Sequence, residues 1–280
     1  MKTTMLPATG AAPALELVHA PGRVDAGRPP LLFVPGLGHG AWCWHNWLEA
    51  AAAAGYQAYA LSFRGHGGSE GSVAGARLRD YVADTVRAAA SIAHGEVVLV
   101  GHSLGGLVIQ HALPTIKPVA AVLLASISAR PAIGTTISVV RRHPTQGLRL
   151  IAGLPLHLGP DMLFPGLDAE AAAASMGQMT AESALVQYQL LAHAPAPLPS
   201  PSIPVLSVAT IDDRVVPIRT TRATARRYGA PIRELRGIGH DMMLDTGWRG
   251  AWDVVDLWLR SQAVAPRRTA GEAPPAGEAT

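Results

Sequence analysis

Short apolar runs alternate with segments of helical hydrophobic spacing along most of the chain. Between residues 77 and 93, for example, apolar residues recur every three or four positions, as in an amphipathic helix. Near-continuous apolar runs are typical of parallel strands that are covered on both faces. Five runs predict strands: LLFVP (31–35), YQAYALS (56–62), VVLVG (97–101), VAAVLLAS (119–126) and VLSVA (205–209). Alternating strands and helices predict an α/β fold with a doubly wound, mostly parallel sheet.

Weaker patterns complete the two ends of this sheet. ALELVHA (14–20) alternates loosely and predicts an edge strand, and PIRELRG (231–237) predicts a further strand. AWCWHNWLEAAAAAG predicts a helix that ends at Gly55, and TGWRGAWDVVDLWLRSQ predicts a final amphipathic helix. We expect residues 263–280 to be a disordered tail, because this segment offers few apolar side chains for a core.

The alternation of strands and helices stops between residues 127 and 201. This stretch is rich in leucine, alanine and methionine, and DAEAAAASMGQ and AESALVQYQLLAHA have helical patterns. We expect 127–201 to form a helical lid inserted between two parts of one core, 1–126 and 202–262. A lid with an apolar underside favours a substrate with a hydrophobic acyl or alcohol group.

Composition excludes several classes of protein. Of 280 residues, 49% are hydrophobic and 15% charged, which suits a globular enzyme. The net charge is +3 and no basic run is interleaved with aromatic residues, so we expect no nucleic-acid partner. The single cysteine, Cys43, cannot form an internal disulfide, and we expect it to pack as a small apolar group. The sequence has neither a secretory signal nor a membrane span, so we expect a cytoplasmic protein without stable membrane insertion.

A serine between glycines stands where VVLVG meets helical sequence. GHSLG (101–105) has the G-x-S-x-G spacing of a nucleophile elbow, a strained strand-to-helix turn that exposes the serine hydroxyl. Leu104, first in the helix, offers a backbone N–H to an oxyanion. The competing interpretation is an ordinary glycine-rich turn. The position at the carboxyl end of a strand favours Ser103 as a nucleophile, since functional groups gather at that edge of a parallel sheet.

A serine hydroxyl needs a base to remove its proton and an acid to orient that base. Among eleven histidines, His240 in GIGHDMMLD lies between a predicted strand and the last helix, where a base can reach the carboxyl edge of the sheet. ATIDDRVVP, after the strand VLSVA, offers Asp212 and Asp213. The residues alone leave this choice open, with one aspartate orienting the histidine and the other capping the next helix.

Other loop residues at the same edge are candidates for contact with a substrate. We expect Gly36, His39, His102 and Met242 around the pocket, although the side chain of His102 must diverge from the serine at the elbow. His66 also lies on a loop at this edge. The histidines show no helical metal-ligand spacing such as H-x-x-x-H, and we expect neither a metal nor a cofactor.

Together these motifs resemble the α/β-hydrolase superfamily over roughly residues 14–126 and 202–262. GHSLGG is similar to the family's elbow, FRGHGGSEG to its R-G-x-G-x-S loop, and GHDMMLD to the segment with its catalytic histidine. In DDRVVP the family's acid stands four residues before the proline, which implies Asp213. FVPGLGHGAWCW resembles the loop after the third strand, with Pro35 where histidine is usual. This match implies an oxyanion hole from the backbone N–H groups of Leu37 and Leu104.

The resemblance implies a serine hydrolase that cleaves a carboxylic ester, thioester or lactone of a small, fairly apolar molecule through an acyl-enzyme. The same scaffold also serves hydroxynitrile and C–C lyases and cofactor-free haloperoxidases or oxygenases, which these motifs do not separate from esterases. A non-catalytic ligand-binding protein is a further alternative, and three filled catalytic positions argue against it. We therefore expect a carboxylic ester hydrolase acting on a small-molecule substrate, and the sequence leaves its oligomeric state open.

Overall fold

Eight strands form one sheet at the centre of the protein. The computed structural model describes residues 1–262 except 25, 94, 95, 153, 155 and 201, so the predicted tail lies outside the described residues. The strands are β1 (Lys2–Leu6), β2 (Leu15–Ala20), β3 (Leu31–Val34), β4 (Ala58–Leu61), β5 (Val98–His102), β6 (Ala120–Leu124), β7 (Val205–Thr210) and β8 (Ile232–Leu235). Their order is β1-β2-β4-β3-β5-β6-β7-β8. The two pairings of β2 are antiparallel and the other five parallel, which confirms the predicted mostly parallel sheet.

Helices occupy the predicted helical segments. A 3₁₀ turn (Ala41–Trp44) leads into the first of them. The α-helices of the described residues are α1 (His45–Ala53), α2 (Leu78–Ala93), α3 (Leu104–Ile116), α4 (Ile133–Arg142), α5 (Pro144–Ile151), α6 (Pro160–Leu163), α7 (Ala169–Gln178), α8 (Ala184–Ala192), α9 (Ile218–Tyr228) and α10 (Trp248–Ser261). Within this part of the chain, no helix combines the length and the apolar character needed to span a bilayer.

Two clusters of buried side chains cover the two faces of the sheet. Successive residues of β3 alternate between them, with Leu32 in one cluster and Phe33 in the other. The Phe33 cluster holds Trp44 and Trp47, whose ring centres lie 5.0 and 6.1 Å from that of Phe33. Cys43 is buried in the same cluster, and burial raises the pKa of its thiol well above the usual value. The thiol therefore stays protonated and packs as an apolar group.

The hydrophobic pattern of the sequence does not predict strand β1. The side chains of β1 are almost all exposed, so the segment lacks the alternation that marks a strand with one buried face. It pairs with β2 from Lys2 opposite His19 to Leu6 opposite Leu15. The expectation of an edge strand at 14–20 is therefore wrong, because β2 lies between β1 and β4.

The described part of 127–204 contains α4 to α8 and no strand. It contacts the loops that follow two strands of the core. The N–H of Thr180 donates to the carbonyl of Gly38 at 2.9 Å, and the N–H of Asp241 donates to the carbonyl of Leu163 at 2.8 Å. These contacts place the segment over the carboxyl edge of the sheet, as a lid requires, but its role as a lid stays a prediction.

Gly105 gives a test of the packing beneath α3. A Cβ added there would collide with the carbonyl oxygens of Val34 and Pro35, which are backbone atoms without freedom to move. We expect Gly105→Ala to lower the free energy of unfolding by about 3 kcal/mol. Gly250→Ala is the matched control, since Gly250 lies in α10 with no atom within 4 Å of the added Cβ. That change should raise the stability by up to ~1 kcal/mol. Urea unfolding measures the free energy of unfolding of both variants, and equal values for Gly105→Ala and Gly250→Ala would contradict this packing.

Candidate active site

Ser103 occupies a strained turn between β5 and α3. Its φ of 50° and ψ of −113° lie in a region that residues other than glycine rarely adopt. A Cβ on Gly101 would lie 2.6 Å from the carbonyl oxygen of Gly105, so the turn closes only with glycine there. The N–H of Ser103 donates to the carbonyl of Leu124 at 2.9 Å. The serine is thus fixed at the carboxyl end of β5 and tied to β6.

His240 and Asp213 continue from this serine in a chain of hydrogen bonds. His240 Nε2 lies 3.0 Å from Ser103 Oγ, and His240 Nδ1 lies 2.8 Å from Asp213 Oδ2. The other oxygen of Asp213 accepts the N–H groups of Val215 and Val216 at 2.7 and 2.8 Å. These two bonds hold the carboxylate in place, and all three side chains are buried. The structure brings the three residues expected from the sequence into direct contact.

The neighbouring aspartate serves a different purpose. Asp212 is exposed, and its Oδ2 accepts the N–H of Gly237 at 2.6 Å. The N–H of Asp212 donates to Thr210 Oγ1 at 3.2 Å. Asp212 therefore stabilises the turn after β7, whereas Asp213 contacts His240.

Burial and charge act in opposite directions on His240. Burial lowers the pKa of its imidazole, while the charge and hydrogen bond of Asp213 and the charge of Asp241 raise it, and the net result is a raised pKa. A raised pKa makes the ring a stronger proton acceptor. Once protonated, the ring is stabilised by the carboxylate at 2.8 Å.

The two expected oxyanion donors belong to segments that adjoin Ser103. Leu104 is the first residue of α3, and the N–H groups of a first helical turn have no acceptor within the helix. Gly36 packs against the elbow, because a Cβ there would lie 3.4 Å from Ser103 Cβ and 2.7 Å from His102 Nδ1. The peptide N–H of Leu37 follows Gly36 directly. Both groups are therefore available next to the serine.

A second cluster of buried polar groups lies behind His240 and was not predicted. Asp241 Oδ2 is 3.0 Å from His39 Nε2, and Asp241 Oδ1 is 3.5 Å from His102 Nε2. Burial favours the neutral form of Asp241, but His39 and then His102 outweigh it and lower its pKa to about 2. Burial is also the main cause that lowers the pKa of His102 to about 3. Its neutral ring donates from Nε2 to the carbonyl of His240 at 3.1 Å, which anchors the loop that carries His240.

A cavity of about 300 Å³ lies beside Leu37 and Gly38, and Ser103 is not among the described residues of its wall. Its wall includes apolar side chains of the middle segment and two residues of the loop after β3. These are Leu156, Leu158, Met176, Met179, Leu37 and Gly38. The segment from 127 to 201 therefore contributes most of the wall of a space that opens beside one expected oxyanion donor.

None of the four expected pocket residues is in the described wall of this cavity. His39 and His102 are 2% and 1% exposed; Asp241 holds the ring of His39, and the carbonyl of His240 holds the ring of His102. Met242 is fully buried in the cluster that contains Trp44, and Gly36 packs on the elbow. Their positions at the correct edge of the sheet led to the expectation, but the side chains of His39, His102 and Met242 are buried.

Glu182 is a buried acid in the cavity wall that the sequence did not single out. It accepts the hydroxyl of Tyr81 at 2.6 Å and the N–H of Gly38 at 3.2 Å, and it lies 3.4 Å from His66 Nε2. These contacts join the middle segment to the residue next to Leu37. No local pattern reveals them, because Glu182 and its partners lie far apart in the sequence.

Glu182 and His66 each favour the charged form of the other. Burial raises the pKa of Glu182, but His66, Tyr81 and the N–H of Ser183 lower it on balance. Burial lowers the pKa of His66, but the Glu182 carboxylate is the main cause of its net raised pKa. The pair is therefore ionised between the lowered pKa of the acid and the raised pKa of the histidine.

With this geometry established, comparison with known proteins gives the family. A sequence profile described as the alpha/beta hydrolase family matches residues 31–249. The chain therefore belongs to the alpha/beta hydrolase family.

Two rice proteins are similar in sequence over part of their length. Probable esterase PIR7A of Oryza sativa subsp. indica is 40% identical over 121 residues, which are 41% of this chain and 45% of that protein. Esterase PIR7B of Oryza sativa subsp. japonica is 34% identical over 160 residues, 50% of this chain and 59% of that protein. The chain thus spans about half the length of the curated relatives it matches.

Solved structures share the fold over nearly the whole chain. A thermophilic esterase from Thermogutta terrifontis, in malate-bound form, has a TM-score of 0.71 and 18% identity, and covers 93% of this chain and 99% of its own. Esterase RhEst1 from Rhodococcus sp. ECU1013 has a TM-score of 0.69 and 22% identity, with coverage of 93% and 99%. A bromoperoxidase from Bacillus anthracis has a TM-score of 0.71 and 14% identity, with coverage of 92% and 100%. At these identities the likeness establishes the fold alone.

The ion pair of Glu182 and His66 predicts a pH-dependent stability. Its contribution is present above the ordinary pKa of a glutamate, about 4.3, and is lost as the pH rises through the raised pKa of His66. We expect Glu182→Gln to lower the free energy of unfolding by about 3 kcal/mol near pH 6, and by less at pH 9. Thermal or urea unfolding across this range measures the difference.

Glu170→Gln is the matched control for this measurement. Glu170 is an exposed acid in the first turn of α7, in the same segment. Its replacement should change the free energy of unfolding by less than about 0.5 kcal/mol at every pH. A Glu182→Gln loss that is equal at pH 6 and pH 9 would refute the ion pair.

Proposed function

We propose that this protein is a carboxylic ester hydrolase in which Ser103 is the nucleophile, His240 the general base and Asp213 the acid that orients it. The observation that carries the proposal is the hydrogen-bonded chain of these three side chains, with distances of 3.0 and 2.8 Å. An activated serine requires a base within reach and a third group that orients the base. The esterase names of the two rice relatives support the same activity.

The reaction is acyl transfer to water. Ser103 Oγ attacks the ester carbonyl while His240 takes its proton, and Asp213 stabilises the imidazolium. The N–H groups of Leu37 and Leu104 donate to the oxyanion of the tetrahedral intermediate, where loss of one such donor typically costs ~3 kcal/mol. His240 then protonates the leaving alcohol. In the second half of the reaction, His240 takes a proton from the water that hydrolyses the acyl-enzyme.

The cavity beside Leu37 supports a small, fairly apolar substrate. Its volume of about 300 Å³ is at the lower end of the range for small-molecule sites. Two leucines and two methionines of the middle segment line it together with the polar residues Arg149, His157, Thr180 and Glu182. Flexible methionines adapt to ligands of varied shape. We assign this cavity to the acyl or alcohol group of the substrate, with 127–201 as its lid.

Ester hydrolysis is favoured over lyase or haloperoxidase chemistry on the same scaffold. The relatives that share 34–40% identity are named as esterases, whereas the bromoperoxidase shares 14%. The placement of the protein in the cytoplasm stays a prediction from the sequence.

Replacement of the serine tests this function. We expect Ser103→Ala to reduce the kcat for p-nitrophenyl butyrate by at least about 10⁴-fold, because the reaction loses its nucleophile. Ser207→Ala is the matched control, since Ser207 is a buried serine in the sheet, on β7, and its hydroxyl has no partner among the described residues. This control should retain activity within about threefold. Near-normal turnover by Ser103→Ala, or products other than acid and alcohol in a panel of esters, would refute the proposal.

A further inference from the structure

Two histidines outside the candidate active site face each other where the core meets the middle segment. His111 lies on α3, and His193 follows the last residue of α8. Their ring centres are 5.5 Å apart and their planes are inclined by 77°. Both residues line a cavity of about 440 Å³. The proposed reaction uses neither of them.

Both rings present an unpaired nitrogen. The Nε2 atoms of His111 and His193 are buried and have no hydrogen-bond partner among the described residues. His193 Nδ1 lies 2.7 Å from the carbonyl oxygen of Ala194. A carbonyl only accepts hydrogen bonds, so Nδ1 of His193 carries a proton, and in the neutral ring the lone pair is then on Nε2.

We propose that His111 and His193 bind a divalent transition-metal ion, with zinc as the preferred ion and water in the cavity as the remaining ligands. Neutral imidazole is the commonest metal ligand in proteins. Zinc–nitrogen bonds of about 2.0–2.1 Å in a tetrahedral site place two ring centres about 5 Å apart, close to the 5.5 Å seen here. A metal-binding histidine usually donates its second ring N–H to a carbonyl or carboxylate, as His193 does to Ala194.

The surroundings allow such an ion. Arg79 is the cation in the described wall of the cavity, and its side chain is exposed, so it can extend into solvent. Gln189 also lines the cavity, with its amide oxygen accepting the N–H of Leu78 at 2.7 Å. Because one ligand belongs to α3 and the other follows α8, the ion fixes the end of the middle segment to the core. Because the ion binds the folded chain and not the unfolded chain, zinc binding stabilises the protein.

A different group of possible ligands must be separated from this pair. His102, His240 and Asp241 have ligand atoms within 4.8 Å of one another. These residues belong to the candidate active site, where His240 is already bonded to Ser103 and Asp213. The experiment therefore measures zinc binding itself rather than inhibition of activity, and its outcome does not depend on the proposed function.

Calorimetric titration of ZnCl₂ into the whole chain at pH 7.5 tests the site. We expect His111→Gln and His193→Gln each to raise the Kd for zinc at least tenfold. His45→Gln is the control, because His45 is 61% exposed and lies near Glu49 on the surface; it should leave the Kd unchanged. No binding by the wild type up to about 1 mM zinc, or unchanged affinity in both variants, would overturn the proposal. Binding lost only in His102→Gln would also overturn it.

A measurement on the wild type covers the case in which a variant fails to fold. Proton–nitrogen NMR spectra of the imidazoles resolve which ring nitrogens bind zinc. We expect zinc to shift Nε2 of His111 and His193 together, in a ratio of one ion per chain. Shifts confined to other histidines would contradict the site.

Discussion

A hydrogen bond of 3.0 Å between His240 Nε2 and Ser103 Oγ joins two loops that lie 137 residues apart in the chain. Its length depends on the sheet, because Ser103 follows β5 while Asp213 and His240 follow β7 and β8. Parallel strands direct all these loops to one edge. The bond also depends on the strained backbone of Ser103, which Gly101 and Gly105 permit and the bond to Leu124 holds.

Three buried carboxylates, those of Asp213, Asp241 and Glu182, bind groups around this hydrogen bond. Asp213 orients the ring of His240 and is itself held by two backbone N–H groups. Asp241 fixes His39 behind the ring, and Glu182 accepts the N–H of Gly38 beside the expected oxyanion donor. Each carboxylate is paired with a histidine or bonded to N–H groups, as buried charges must be. A single buried site thus combines a hydrogen-bonded chain of serine, histidine and aspartate with surrounding polar contacts.

Local sequence patterns predict the strands and the catalytic motifs, but they do not predict contacts between residues that lie far apart in the chain. The strands, the elbow and the segments with Asp213 and His240 each have a recognisable motif at a strand end. Strand β1 was missed because its exposed side chains do not alternate. The contact of Glu182 with His66, and that of Asp241 with His39, join remote segments. For the same reason the sequence does not reveal that His39, expected beside the substrate, is a buried partner of Asp241 and that His102 is bonded to the carbonyl of His240.

We propose that Asp213, held beside His240, enables the histidine to deprotonate Ser103. The adjacent acids of one turn allow a direct measurement, namely kcat for an ester with Asp213→Asn and with Asp212→Asn. Because an amide at 213 favours the wrong histidine tautomer, we expect kcat to fall by about 10⁴-fold there, whereas Asp212→Asn should stay within about threefold of the wild type. Equal activities of the two variants would contradict the account.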